Sequence, residues 1–355
     1  MNIKSLLLGS AAALVAVSGA RAADAVMAEP EAVEYVRVCD AYGAGYFYIP
    51  GTETCLKIAG RVRYEVLYNS GDKGWKKKAN AMLNFTAKAD TELGTLTSYI
   101  EMSATRLSGP QGTIFIPPAT IKQEGAFYFD HAWISLGGLK MGWSDTLYDG
   151  DINGEGDAGG GTGVHFINYT FSGSNGFSAT LALEEDSFNI NYVPNVVGKV
   201  SFTQGWGGVD VWAAFDDKDV IGVSVIDKSG WSVKGRLTVN VGSSGVFQAL
   251  ATYNGGGLTN PVGIAHSNMY ANGGRWTLGA SYKYTVNPKL ALTGVVQYQA
   301  DTNYELVGKP NNFTFGGVID YTVVPNFTTK LAIWHKTNGA AKDTNEAFLR
   351  FERSF

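Results

Sequence analysis

The sequence predicts an all-β protein: a transmembrane, antiparallel, up-and-down β-barrel of 16 strands. Three observations predict this fold: long segments in which apolar and polar residues alternate, an export signal at the amino terminus, and a low content of charged residues. Only 17% of the 355 residues are charged, whereas a soluble domain usually carries about 25%. The deficit indicates a surface that does not face water.

The first 22 residues have the features of a secretory signal peptide. A basic start, Met1–Lys4, precedes an apolar run, Leu6–Val17, that is too short to span a bilayer as a helix. Ala20-Arg21-Ala22 fits the small-x-small cleavage rule, so we place the cut after Ala22. Because cleavage removes Lys4 and Arg21, 26 of the 28 bases remain against 32 acids, which is a formal charge of −6. This acidic balance argues against nucleic acid as a partner.

The alternation is clearest between Leu56 and Asn69, where apolar and aromatic residues occupy one face and mostly polar residues occupy the other. Such period-2 patterning is typical of a strand with one apolar face. The segment exceeds the usual strand length of ~5–6 residues and suits a tilted membrane strand, which needs ~9–11. The pattern recurs in the segments 83–90, 167–172, 177–183, 276–284, 290–298, 313–321, 327–333 and 347–355. Aromatic residues near the ends of the apolar faces indicate an interfacial girdle.

Strand parity refines the count. The sequence offers 17 candidate strands, but a closed bacterial barrel with both termini on the periplasmic side needs an even number. Short and long connections alternate along the chain except between Asp216 and Trp231, where the weakest candidate, Val220–Ile226, lies. We therefore assign Val220–Ile226 to a long external loop, so that 16 strands remain. Closure is required because unpaired backbone groups in hydrocarbon are too costly, and a barrel of ~16 strands encloses an aqueous channel.

One stretch between the predicted strands, Asp145–Gly163, suits neither a helix nor a strand. Its many glycines are costly in a helix interior, and Gly, Asp and Asn are the residues that strands avoid. It contains no Lys or Arg but five acids, which are Asp145, Asp149, Asp151, Glu155 and Asp157. We therefore expect a loop of strongly negative charge.

The two cysteines, Cys39 and Cys55, are predicted to form a disulfide, because exported chains with two cysteines usually pair them. A ring of roughly 15 residues stabilises by about 3 kcal/mol in the loop-entropy model. Two free thiols are the alternative. The chain then divides into a signal peptide (1–22), a periplasmic N-terminal segment that contains the Cys39–Cys55 loop (23–54) and the β-barrel (55–355).

Three stretches resemble the alphaproteobacterial trimeric porins of the Rhizobiales type: Val38–Gly43, Tyr46–Leu56 and the closing Arg350–Phe355. The resemblance extends over the whole chain. It implies a homotrimer in the outer membrane of a Gram-negative bacterium, through which small hydrophilic solutes and ions diffuse passively. It also implies that the third long loop, here 145–163, folds inward and narrows the pore, and that Phe355 is the terminal aromatic of the assembly signal. The expected partners are outer-membrane lipid, lipopolysaccharide and the barrel-assembly machinery.

A pore constriction is the main functional hypothesis for the acidic loop. Alternation places several bases on the inner face of the wall, which are Arg61, Arg63, Lys88, Lys234, Arg236, Lys283, Lys330 and Arg350. Charges that face each other across a narrow channel orient polar solutes, so the five loop acids with Arg61 and Arg63 are the predicted constriction. The alternative is a set of solvated charges in a wide lumen. The net charge and the acidic loop predict a mild preference for cations.

The same loop also matches the start of a calcium-binding loop, because Asp149, Asp151 and Asn153 follow the pattern D-x-D-x-N-G. The bidentate Glu of such loops is absent, since Gly160 occupies the twelfth position. Calcium is therefore an alternative ligand, and no other cofactor or metal is expected.

The motifs of hydrolytic enzymes are missing, and we predict that the protein is not an enzyme. The four histidines are His131, His165, His266 and His335; no two of them are four residues apart, and the sequence has no Gly-x-Ser-x-Gly elbow. A substrate-specific outer-membrane channel and a barrel with an adhesive or structural role remain as alternatives. Trp212 and Trp334 fall on inner faces, but a sugar-guiding row would need more aromatic residues in sequence.

Overall fold

The computed structural model describes residues 37–108, 127–156, 159–160, 163–185, 192–217, 219–221, 224–226, 229–256, 269–270, 274–301, 311–339 and 342–355. The chain from Cys39 to Phe355 forms one compact unit. The predicted signal peptide (1–22) and residues 23–36 lie outside the described residues.

Strands dominate the described chain, and a single 3-10 turn covers Asp40–Tyr42. The strands are β1 (Tyr46–Tyr48), β2 (Cys55–Asn69), β3 (Lys76–Thr91), β4 (Gly94–Ser108), β5 (Tyr128–Leu136), β6 (Leu139–Asp145), β7 (Gly163–Ser172), β8 (Phe177–Glu185), β9 (Asn195–Gln204), β10 (Gly207–Asp216), β11 (Asp219–Ile221), β12 (Ser224–Ile226), β13 (Gly230–Val241), β14 (Gly245–Gly256), β15 (Trp276–Asn287), β16 (Leu290–Ala300), β17 (Asn312–Val324), β18 (Phe327–Asn338) and β19 (Thr344–Ser354).

Sixteen of these strands close into an antiparallel barrel. Each strand from β2 to β9 pairs with the next in sequence, and β10 pairs with β13. Each strand from β13 to β18 pairs with the next, and β19 returns to pair with β2. The strands β11 and β12 pair only with each other, in the connection between β10 and β13. The prediction that Val220–Ile226 lies outside the barrel wall is therefore confirmed, together with the 16-strand count.

The two faces of the wall differ as the alternation predicts. On β2, Val62, Tyr64 and Tyr68 are exposed, whereas Glu65 between them is buried. Apolar side chains recur on the outer face of other strands, including Ile167, Tyr169, Leu181, Leu278 and Ile333. Polar residues such as Glu65, Lys234 and Thr293 lie on the inner face, together with apolar residues such as Val295 and Val318. Among the described residues, no helix has the length and hydropathy needed to cross a bilayer.

The seam between the first and last barrel strands is closed by backbone hydrogen bonds of Gly60 with Phe355. The Gly60 N–H donates to the Phe355 carbonyl, and the Phe355 N–H donates to the Gly60 carbonyl, each at 3.0 Å. A Cβ on Gly60 would lie 2.6 Å from the Met82 carbonyl oxygen and 2.7 Å from the Phe355 ring. A glycine at position 60 is therefore required for Phe355 to lie against β2.

The amino-terminal part of the compact unit is attached to the wall by covalent and backbone bonds. Cys39 and Cys55 form a disulfide with 6.0 Å between their Cα atoms, as predicted. The short strand β1 pairs with the beginning of β2, with Tyr46 opposite Lys57. Together these links hold the segment 39–54 at the end of the barrel where the short turns lie.

Candidate functional site

The candidate site is the connection between β6 and β7, described at residues 146–156 and 159–160. Its first residues are fixed by Glu184 of β8, whose side chain is only 1% exposed. One oxygen of this carboxylate accepts a hydrogen bond from the Thr146 hydroxyl at 2.5 Å, and the other accepts one from the Leu147 N–H at 2.7 Å. The Tyr270 hydroxyl donates a third bond at 3.1 Å. Burying a carboxylate without hydrogen-bond donors would cost several kcal/mol. The three donors offset this cost only while the loop keeps its position, so Glu184 is a strong anchor.

A buried aromatic and cationic cluster holds the next part of the loop. The indole N–H of Trp212 donates to the Leu147 carbonyl at 3.0 Å. The ammonium of Lys234 lies 4.2 Å from the Tyr148 ring centroid and donates to the Gly159 carbonyl at 3.2 Å. Tyr148, Trp212 and Lys234 are all fully buried, and burial raises the pKa of the Tyr148 phenol. A Cβ at Gly150 would lie 2.7 Å from the Trp212 ring, so a glycine is needed for this close packing.

The tip of the loop contacts strands that are distant from β6 and β7 in the sheet order. Ile152 packs with Leu250 of β14 and Val295 of β16, with Trp334 of β18 beside them. The Asn153 N–H donates to the Gln248 side chain at 2.7 Å. The tip turns sharply, since Ile152 and Gly156 form an isolated bridge.

Glu155, with a positive φ of 62°, is the acid that this turn presents to the wall. Its carboxylate lies 2.5 Å from the Lys330 ammonium and 3.2 Å from the Arg350 guanidinium. Arg350 also binds Glu65 at 2.6 Å, and Lys330 lies 3.5 Å from Asp320. Burial alone would raise the pKa of Glu155, but the Lys330 hydrogen bond and the charges of Arg350 and Lys330 outweigh burial and hold that pKa below its ordinary value.

Cavities lie on both sides of these ion pairs. A cavity of about 520 Å³ is lined by Glu155, Trp334 and Glu346, among others. A second, of about 240 Å³, is lined by Lys330 and Arg350, the partners of Glu155. The Glu155 ion pairs therefore lie between two open volumes.

The predicted constriction residues separate into different environments. Glu155 is ion-paired to Lys330 of β18 and Arg350 of β19. Asp149 forms a backbone turn bond to Thr146, and Asp151 offers its main-chain carbonyl to Arg236 at 2.7 Å. Asp145, at the end of β6, lies 3.9 Å from His131. Asp157 lies outside the described residues.

The two predicted arginines of the constriction share one acid. Arg63 binds Glu352 at 2.7 Å, and Arg61 lies 4.0 Å from the same carboxylate. Both therefore belong to the inner wall beside the cavity of about 240 Å³, which Arg63 and Glu352 line.

Sequence reasoning did not find the anchor of the loop. Glu184 and Tyr148 were not singled out, although the alternation of β8 places Glu184 on the inner face next to the long-loop end. Within the described residues, no group of three or more His, Cys, Asp or Glu side chains is arranged to hold a metal ion. The calcium alternative at Asp149, Asp151 and Asn153 has no further support.

Comparisons with known proteins agree on one family. A model described as the porin subfamily matches residues 24–351. Porin Omp2b of Brucella canis is 38% identical over 393 residues, and Porin Omp2a of Brucella suis is 38% identical over 392; each alignment covers 100% of both chains.

Solved structures share the fold at low sequence identity. The outer membrane channel DcaP of Acinetobacter baumannii has a TM-score of 0.65 at 13% identity, covering 87% of this chain and 99% of that one. The outer membrane protein OmpT of Vibrio cholerae, in its trimer form, has a TM-score of 0.63 at 11% identity, covering 86% of this chain and 100% of that one.

Proposed function

The chain belongs to the porin subfamily, and from this premise we propose that the loop 145–163 is the constriction of its pore. The protein is a general diffusion porin of a Gram-negative outer membrane, a channel rather than an enzyme. What determines passage in such a channel is its narrowest section. The proposal therefore concerns where that section lies and which groups line it.

The observation that carries the proposal is the pair of ionic contacts from Glu155 to Lys330 and Arg350. The loop leaves the wall at β6 and returns at β7, yet its tip reaches side chains on the inner face of β18 and β19. A loop that contacts these inner-face side chains takes up cross-section that solutes would otherwise use. Size exclusion follows from that lost cross-section.

Electrostatic filtering accompanies size exclusion. The acid on the loop and the bases on the wall create a field across the path, which orients dipolar solutes and attracts or repels ions. Glu155 on one side, with Arg61 and Arg63 beside Glu352 on the other, are the groups that we assign to this filter. Asp149 and Asp151 add negative charge along the loop.

The anchors explain how a glycine-rich loop keeps one position. Glu184 holds its root, Lys234 and Trp212 hold its middle, and Ile152 inserts into an apolar pocket at its tip. Flexible glycines alone would not maintain a defined aperture.

Deletion of 149–160 tests the constriction directly. We expect a larger single-channel conductance in planar bilayers and faster entry of larger sugars in liposome swelling. A deletion of equal length in another long connection, 110–121, is the matched control and should leave both values near wild type. Unchanged conductance after deletion of 149–160 would show that the narrowest section lies elsewhere.

We also propose a homotrimer, a cleaved signal peptide at 1–22, a periplasmic segment at 23–54 and an assembly signal ending at Phe355. Support for the trimer comes from the solved trimer form of the Vibrio cholerae neighbour. Lipopolysaccharide contact and recognition by the barrel-assembly machinery belong to the same proposal. Mass determination of the purified oligomer in detergent tests the number of subunits.

A further inference from the structure

Four lysines of the inner wall have no acid partner among the described residues: Lys57, Lys88, Lys140 and Lys283. The other inward bases described are held by a carboxylate or by the loop. Lys78 and Arg350 bind Glu65, for example, and Lys336 binds Glu346. The uncompensated positive charge is therefore confined to a part of the lumen.

That part is the periplasmic half of the barrel. Lys140 is the second residue of β6, directly after a two-residue turn, and Lys88 lies near the end of β3. Lys57 precedes Glu65 by eight residues on β2, which corresponds to about 26 Å of strand. Glu65 and Glu155 both bind Arg350, so Glu65 lies at the level of the loop contacts. Lys57 therefore lies well to the periplasmic side of those contacts.

Three of the lysines lie over aromatic rings. The ammonium of Lys57 is 5.7 Å from the Tyr46 ring centroid, and that of Lys88 is 5.5 Å from the Tyr42 centroid. The Lys140 ammonium is 4.1 Å from the Trp133 centroid. A ring face stabilises an ammonium without cancelling its charge, so the positive potential remains available to a solute.

The register places hydrogen-bond donors between two of these lysines. Lys88 pairs with Thr97, Thr97 with Ser135, and Ser135 with Lys140, so that the four residues form a row across β3, β4, β5 and β6. With strands about 4.8 Å apart, the row extends over about 14 Å. Two ammonium groups with two hydroxyls between them match the acceptor oxygens of a carboxylate or phosphate.

The acids that face this row are already engaged. Asp90 accepts a hydrogen bond from the Tyr42 hydroxyl at 2.7 Å. Glu101 accepts one from the Tyr99 hydroxyl at 2.5 Å and lies 3.9 Å from His131. Neither acid forms an ion pair with Lys57, Lys88 or Lys140, so none of the three is neutralised.

We propose that the row Lys88–Thr97–Ser135–Lys140, with Lys57 beside it, is an anion-binding platform inside the pore. Small solutes that carry carboxylate or phosphate groups dwell there after passing the loop. The proposal rests on the diffusion-porin function and adds a preferred solute class to it. It also opposes the cation preference that the net charge of the chain predicts.

Citrate is the probe for the test. With wild-type channels in a planar bilayer under potassium chloride, we expect added citrate to interrupt the current in a concentration-dependent way. In the double variant Lys88→Gln/Lys140→Gln, we expect the half-blocking concentration to rise at least threefold and the chloride-to-potassium permeability ratio to fall about two- to threefold.

The matched control is Lys77→Gln, because Lys77 is next to the inward Lys78 and therefore faces outward. Folding of each variant is checked by its heat-dependent migration on detergent gels. Equal citrate block in wild type and in the folded double variant would overturn the platform, as would an equal loss in Lys77→Gln. Conducting wild-type channels without any citrate block would overturn the platform alone, whereas absence of conductance would overturn the porin function itself.

Discussion

Replacing Glu155 by Gln isolates the electrostatic part of the proposed filter. The change keeps the size of the side chain and removes one negative charge from a group in which Lys330 and Arg350 share three acids, Glu155, Glu65 and Asp320. The net charge of the site then becomes more positive by one unit. We expect the selectivity of the channel to shift towards anions.

The magnitude follows from the geometry. The Glu155 side chain is 31% exposed, so water screens its charge strongly. For an ion about 8 Å away and an effective dielectric constant of about 40–80, one unit charge changes the energy by about 0.5–1 kcal/mol. The change has opposite signs for chloride and potassium, so the chloride-to-potassium permeability ratio should rise about five- to thirtyfold.

The assay is the zero-current potential under a potassium chloride gradient in a planar bilayer. Glu185→Gln, on the outer face of β8, is the charge-matched control and should not move the potential. Lys330→Gln should move it in the opposite direction, and the double variant Glu155→Gln/Lys330→Gln should return it close to wild type. An unchanged potential in Glu155→Gln with normal conductance would refute the assignment of Glu155 to the filter.

The remaining predictions concern the structure that supports the filter. Replacing Cys39 and Cys55 by Ser should remove about 3 kcal/mol of loop-entropy stabilisation and speed limited proteolysis of the segment 39–54. Gly60→Val should impair closure of the barrel, because its Cβ would lie 2.6 Å from a carbonyl oxygen of β3; folding yield on detergent gels measures this. Trp212→Ala should cost about 3–5 kcal/mol and give noisier single-channel currents as the loop loosens. Because the pKa of Glu155 is lowered, its ion pairs should persist as pH falls to the ordinary glutamate value and be lost only when pH passes through the lowered pKa. The difference in zero-current potential between wild type and Glu155→Gln should therefore stay constant from pH 7 down to about 4.5.

The barrel was predictable because its signals repeat. Each strand carries the same alternation, and closure imposes an even number of strands. The requirement for an even number corrected the local prediction that Val220–Ile226 is a strand of the barrel. The segment Val220–Ile226 has strand-forming residues, and the described residues there belong to the short strands β11 (Asp219–Ile221) and β12 (Ser224–Ile226). Local sequence therefore identified its conformation, whereas topology alone identified its exclusion from the wall.

The anchors of the loop were less predictable, since they depend on contacts between residues far apart in sequence. Glu184 and Leu147 are separated by 37 positions, and Trp212 and Leu147 by 65. Alternation assigns Glu184 and Trp212 to the inner face but does not indicate what they touch there. The alternation predicts only which face of the wall a side chain occupies. It does not distinguish a polar side chain that contacts water from one that contacts a loop.

Composition and structure predict opposite signs of ion selectivity. A net charge of −6 and an acidic loop predict a preference for cations, yet Glu155 is matched by Lys330 and Arg350. Lys57, Lys88 and Lys140 meanwhile retain their charge along the inner wall. A permeating ion responds to charges within about a Debye length, roughly 8–10 Å at physiological salt. Charges farther from the path than this distance contribute little, so the distribution of charge between lumen and exterior determines selectivity, and net charge is a poor guide to it.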